Sequence, residues 1–417
     1  MTGKFLGFPR GFLWGASVSS HQIEGGLINN WSRWEIENAG KLAKDARNSP
    51  WPREGVLKKE ARNPPNYISG LACDHYNLFK SDFNIAEKLG FNAFRFSIDW
   101  SRIEPEEGKF DQKGLDFYLR YVKELIAREI EPFVTLWHWP IPLWLEKKGG
   151  LESKDFTLYF VRYASKLARL FKNKVIYIQT VNEPEIFTSQ SYLLGRWPPG
   201  RKNPFSYLKV LKVLSETHKK SYLAVKKVSK KFQVGIAKNN AYFEAYKNRP
   251  QNKFLKLFAK WWWNDYFLNS IKDYQDFIGL NHYFHYRIDD GVISPGEKRV
   301  HSDIGWELYP SSIYFVLKDL LKYKKPVFIT ENGLADYKDK YRGWYIKEIL
   351  KNVYRAVSEG VDVKGYFHWS LLDNFEWAEG FWPRFGLVEV DYGTQKRKIR
   401  KSAFEYSRVI RNNGLDD

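Results

Sequence analysis

Eight short apolar runs punctuate the chain at residues 12–20, 93–100, 132–139, 175–182, 233–237, 277–283, 326–330 and 363–370. Each is rich in β-branched and aromatic residues and reads as a buried strand. Their near-continuous apolar character is that of parallel strands covered on both faces. Between them lie amphipathic stretches of helical period, clearest at 77–89, 156–171, 207–229 and 345–357. Eight strands alternating with helices predict an α/β fold, a closed (β/α)8 TIM barrel. Such a barrel needs about 250 residues, and this chain has 417. The surplus falls mainly in the connections at 30–71 and 240–274. With no linker or repeat in view, residues 1–417 are expected to form a single domain with elaborated βα loops.

In this frame two strings stand out, Thr180-Val181-Asn182-Glu183-Pro184 and Ile329-Thr330-Glu331-Asn332-Gly333. Each ends an apolar run with a glutamate, on the fourth and seventh strands. Barrel strands bring their C-terminal ends to one shared mouth, so Glu183 and Glu331 are expected to meet there. Two carboxyl groups flanking a glycosidic bond cleave it with retention when about 5–5.5 Å apart, one as acid/base and the other as nucleophile, and with inversion when roughly 6.5–9.5 Å apart. Arg95, near the end of the second strand, would keep Glu331 ionised. Glu183, beside that negative charge, would keep its proton. Asn182 can hydrogen-bond a sugar 2-hydroxyl, and Pro184 restricts the backbone of Glu183.

Composition adjusts this picture modestly. Aromatic residues make up 18% of the chain, with 17 Trp and 26 Tyr. Such an excess fits either a ring-lined carbohydrate cleft or packing between helices and barrel. Cys73 is the only cysteine and Met1 the only methionine, so no intrachain disulfide is possible. Scarce Cys and Met with abundant Lys and Glu predict a thermostable protein. The formal charge is +19, but the lysines are scattered in short runs on predicted outer helices. No nucleic-acid motif accompanies them, so no nucleic-acid partner is expected. The basic, aromatic surface permits peripheral membrane association without requiring it. The N-terminus lacks an apolar leader and no run is long enough to span a bilayer, which predicts a cytoplasmic protein. No residue set has metal-ligand spacing, and no cofactor is expected.

An ordered series of motifs resembles glycoside hydrolase family 1, the β-glucosidase and β-galactosidase family, from about residue 8 to 404. It runs through Phe12-Leu13-Trp14-Gly15-Ala16-Ser17, His21-Gln22-Ile23-Glu24-Gly25, Cys73-Asp74-His75-Tyr76 and Arg95-Phe96-Ser97-Ile98. It continues through His138-Trp139, the first glutamate string, Asn281-His282-Tyr283 and the second glutamate string. It ends with Trp369-Ser370-Leu371-Leu372-Asp373-Asn374-Phe375-Glu376-Trp377 and Arg384-Phe385-Gly386-Leu387. The resemblance implies a retaining β-glycosidase acting on terminal, non-reducing β-D-glucosyl and also galactosyl residues of small glycosides or oligosaccharides. Glu331 would be the nucleophile and Glu183 the acid/base. Gln22, His138, Asn182, Glu376 and Trp377 would hold the non-reducing sugar over a Trp369 platform. Tyr283 would hydrogen-bond the nucleophile, with Asn281 beside it.

Several readings stay open. A β-mannosidase of the same family and a non-catalytic carbohydrate-binding barrel are the alternatives. The family's 6-phosphoglycosidases carry a serine and a lysine–tyrosine pair where this chain has Glu376-Trp377, whose carboxylate would repel a 6-phosphate. The family's thioglucosidases have glutamine in place of the acid/base, which here is Glu183. Trp137 either narrows the sugar pocket or packs. The Trp261-Trp262-Trp263 run is expected to pack rather than form an exposed patch. A compact stretch at 284–325 predicts an open leaving-group side that accepts aryl and alkyl groups.

Overall fold

The computed structural model describes residues 4–289, 292–293 and 299–417. Eight parallel strands close a barrel: β1 Leu13–Ser17, β2 Ala93–Ser97, β3 Glu131–Trp137, β4 Tyr177–Asn182, β5 Gln233–Asn239, β6 Ile278–Asn281, β7 Val327–Asn332 and β8 Val363–Trp369. Each pairs with its sequence neighbours, and β8 returns to β1. The longer helices are α1 Asn30–Asp45, α2 His75–Lys88, α3 Gln112–Ala127, α4 Phe156–Phe171, α5 Pro204–Val228, α6 Pro250–Lys260, α7 Ser312–Leu320, α8 Arg342–Ser358 and α9 Lys401–Asn412. The (β/α)8 expectation holds. Both predicted insertions carry structure of their own: α1 lies in the first, and α6 with the short strand Tyr242–Ala245 in the second.

Outer helices bury the stripe their period predicts. On α4 the buried face is Phe156, Tyr159, Phe160, Tyr163, Leu167 and Phe171, spaced three or four residues apart. Inside the barrel, strand alternation sorts side chains into layers. The lowest is aromatic: Phe133 lies 5.0–5.3 Å, centroid to centroid, from Tyr177, Phe277, Phe328 and Phe367. Two residues higher on their strands, Arg95, Thr135, Gln179 and Thr330 form a polar layer. Gly279 makes room for it, since a Cβ there would stand 2.1 Å from Gln179 Nε2. An apolar floor beneath a polar storey keeps water out below the mouth while offering fixed hydrogen-bonding groups above.

Alternation breaks where the chemistry begins. The β4–β5 register shifts between Gln179 and Asn182, and the β6–β7 register between Ile329 and Glu331. Thr330 donates inward to Asn281 at 2.7 Å, and the next residue, Glu331, also points inward. Bulges at barrel rims re-aim side chains in this way. Among the described residues, no helix is long and apolar enough to cross a membrane.

Candidate active site

A cleft of about 1200 Å³ opens at the C-terminal ends of the strands. Glu183 and Glu331 both line it, each only 4% exposed. Glu331 lies within β7 rather than beyond its end, because that strand continues to Asn332. Glu183 follows β4 and adopts a left-handed backbone, φ 45° and ψ 62°. Pro184 follows it as the first residue of a short helix. The left-handed turn is held by Glu183 N–H donating to Ala237 at 2.8 Å and by Phe187 N–H donating back at 3.1 Å. Strain of this kind costs about 1–3 kcal/mol and clusters at functional sites.

The two carboxyls have different surroundings. Arg95, fully buried, forms an ion pair with Glu331 and donates to Gln179 at 2.6 Å and Asn182 at 2.7 Å. Tyr283 O–H donates to the other Glu331 oxygen at 3.0 Å. Among the described residues Glu183 receives only amides, Asn281 at 2.7 Å and Asn239 at 3.1 Å. Burial first, and then the negative Glu331, push the Glu183 carboxyl from 4.5 to about 8. Burial raises Glu331 too, but Arg95, Tyr283 and Asn281 oppose it. Of the two, Glu331 has the cation and ionises first.

Most of the remaining residues named from the sequence surround this pair. His138, Tyr283, Trp369, Glu376 and Trp377 line the cleft. The His138 ring lies nearly parallel to Trp369 and Trp377, at 6.0 and 5.9 Å. Burial holds its imidazole well below 6.5, hence neutral. Its Nε2 faces the Asn182 amide at 3.1 Å, while its Nδ1 has no partner among the described residues. Glu376 is pushed up to about 8 by burial and by Glu331 and Glu379.

The other residues named from the sequence sit deeper in the fold. Gln22 is fully buried, accepts from Ser19 at 2.6 Å and donates to Phe375 O at 2.8 Å and to the cleft residue Glu376 at 3.2 Å. Asn182 is also fully buried, with Arg95 and Asn281 donating to its carbonyl. Asn281, expected beside the nucleophile, makes its 2.7 Å bond to Glu183 and touches both carboxyls. Trp137 packs outside the pocket, edge-on to Phe187 with its N–H on Pro140 O. The triple tryptophan divides: Trp261 is 45% exposed, Trp262 packs on Tyr266, and Trp263 reaches the cleft. Part of the 284–325 stretch lies outside the described residues; Phe284 and Tyr286 within it line the cleft.

Asn239, Trp263, Trp139 and Trp197 are cleft residues that sequence reading left out. Asn239 escapes a reading by apolar runs. It ends β5, which runs two residues past the apolar part of that segment. Asn239 Oδ1 and Trp263 Nε1 are buried with no partner among the described residues. Such atoms on a cleft wall suit a polyhydroxylated ligand. Among the described residues, no cluster of three or more His, Cys, Asp or Glu could hold a metal ion.

The model of Glycosyl hydrolase family 1 matches residues 6–271 and 264–415. The chain belongs to glycosyl hydrolase family 1. It is an O-glycoside hydrolase of the β-glycosidase kind. A family 1 relative, the 1,4-beta-D-glucan glucohydrolase of Thermotoga neapolitana, is 37% identical over 98% of this chain and 99% of its own. Beta-glucosidase A of Thermotoga maritima is 35% identical with the same coverage. The family 1 structure of a beta-glycosidase from Pyrococcus horikoshii superposes with a TM-score of 0.87, at 36% identity, covering 99% of this chain and 97% of that one. That of a Thermotoga maritima beta-glucosidase in complex with glucoimidazole gives 0.86 at 32% identity, covering 98% and 100%.

Proposed function

We propose that this family 1 enzyme, a single barrel domain, hydrolyses terminal β-D-glucosides, and β-D-galactosides beside them, with Glu331 as nucleophile and Glu183 as acid/base. The observation that carries the assignment is the asymmetry of the pair: Arg95 and Tyr283 hold Glu331, whereas among the described residues only amides donate to Glu183. Glu331 attacks the anomeric carbon as the Glu183 proton passes to the departing oxygen. The product is a glycosyl ester on Glu331, and its formation neutralises the charge that raised Glu183. Glu183, now ionised, removes a proton from water, which displaces Glu331 and regenerates both groups.

The glycone rests on Trp369, with His138 Nδ1 and Glu376 offered to its hydroxyls. Glu376 offers two carboxyl oxygens to neighbouring hydroxyls, and Gln22, which donates to it at 3.2 Å, meets the sugar beside it. Asn182 and Asn281 tie both carboxyls to Arg95. Asn239 and Trp263 stand on the acid/base side, where the leaving group exits. The similarity to beta-glucosidase A of Thermotoga maritima favours glucose as the first sugar to test. Hydrolysis of a panel of p-nitrophenyl β-glycosides by wild type and by Glu331→Gln tests the reading. The glucoside is expected to lead the panel and the variant to be inactive. Unchanged activity in the variant would remove Glu331 from the chemistry.

A further inference from the structure

Helix α6, with sequence Pro-Gln-Asn-Lys-Phe-Leu-Lys-Leu-Phe-Ala-Lys, turns its apolar face to solvent. Phe254 is 70% exposed, Leu257 63%, Phe258 54% and, just past its end, Trp261 45%. These positions stand at i, i+3, i+4 and i+7, one continuous stripe of a helix. Asn252, a polar residue, is the buried one on this helix. In a water-facing helix docked on a barrel the order is reversed, as on α4, so burial against the fold does not explain the stripe. The segment from Pro250 to Trp263 contains Lys253, Lys256 and Lys260 and no acid. Lys260 pairs with Asp319 at 2.6 Å; Lys253 and Lys256 have no carboxylate partner among the described residues.

We propose that α6 is a docking surface for an anionic lipid bilayer. An exposed stripe of Phe, Leu and Trp flanked by lysines is the composition that buries in the boundary between headgroups and acyl chains. The lysines complement acidic headgroups and add to a chain whose net charge is +19. A second copy of the chain fits less well, because a two-fold contact through this stripe would face lysines with lysines. The stripe also adjoins the cleft: Trp263, two residues past Trp261, lines the cleft wall, and Trp262 joins it to α5 through Tyr207 at 6.2 Å. Docking through α6 therefore brings the lipid surface beside the acid/base side of the mouth, where the aglycone leaves.

The test is co-sedimentation of the full chain with vesicles of phosphatidylglycerol in phosphatidylcholine, against pure phosphatidylcholine. A protein this basic binds acidic vesicles by charge alone, so the decisive variant keeps the charge: F254S/L257S/F258S/W261S. Wild type is expected to sediment with the acidic vesicles, and the variant to lose at least about tenfold in partitioning. K253E/K256E is expected to weaken binding as well, and both variants to hydrolyse a soluble p-nitrophenyl β-glucoside at the wild-type rate. Equal sedimentation of wild type and the apolar-to-serine variant would overturn the proposal. So would a wild type that stays in the supernatant, or one that forms a stripe-dependent dimer without binding vesicles.

Discussion

The proton on Glu183 gives the sharpest handle on this enzyme. Its carboxyl sits at about 8 because burial and Glu331 outweigh the two amides that favour its ionised form. For the free enzyme, kcat/KM follows the protonated fraction of Glu183. It should be level through neutral pH and fall about tenfold per pH unit above about 8. Asn239→Ala removes one of the two amide donors, the bond of 3.1 Å. A hydrogen bond to a charged group contributes about 1.5–3 kcal/mol, against about 0.5–1.5 for a neutral one. The difference, about 1 kcal/mol, is what the ionised form loses. Losing it raises the carboxyl further, so the alkaline limb should move up by roughly fivefold in the ionisation constant. The assay is kcat/KM for an aryl β-glucoside from about pH 5 to about pH 10. Glu183→Gln should abolish the limb, and an aryl group that departs without a proton should flatten it in wild type. Glu376 titrates in the same region, and in Glu376→Gln the limb should persist. A limb that stays put in Asn239→Ala, or survives in Glu183→Gln, would refute the assignment.

Other outcomes follow from the same geometry. Arg95→Met leaves Glu331 buried with its ion pair broken, at a cost of about 3–5 kcal/mol; calorimetry should show a lower Tm, and activity at neutral pH should fall as Glu331 takes up a proton. Gly333→Ala places a Cβ 1.9 Å from Trp369 O, so the tips of β7 and β8 must separate. Overpacking of this kind costs about 1–3 kcal/mol, and kcat should fall more than the change in Tm explains.

Much of this site could be read before any coordinates. Hydrophobic runs bounded by polar residues located all eight strands, because a parallel barrel strand is buried on both faces and its sequence says so. That also put Glu183 and Glu331 at one mouth. What a period-two pattern cannot contain is a break in its own period. The register shifts near Glu331 and Asn182 depend on neighbouring strands, and no local sequence feature marks them. β5 ends in Lys238-Asn239, which reads as loop because a buried lysine is rare; here Lys238 is fully buried and its ammonium pairs with Glu185 at 3.1 Å. Cutting that strand short hid Asn239. Gln22 and Glu376 were both legible as site residues, but their roles were not. Only packing shows that Gln22 donates to Glu376 at 3.2 Å and that Glu376 stands at the cleft near Glu331 and Glu379.

The central claim is a covalent bond to Glu331. A rapid acid quench of enzyme turning over a dinitrophenyl β-glucoside, followed by peptide mass spectrometry, tests it most directly. The account predicts one glycosyl residue on the peptide carrying Glu331, accumulating further in Glu183→Gln. A glycosylated peptide carrying any other carboxylate, or none under conditions of steady turnover, would contradict it.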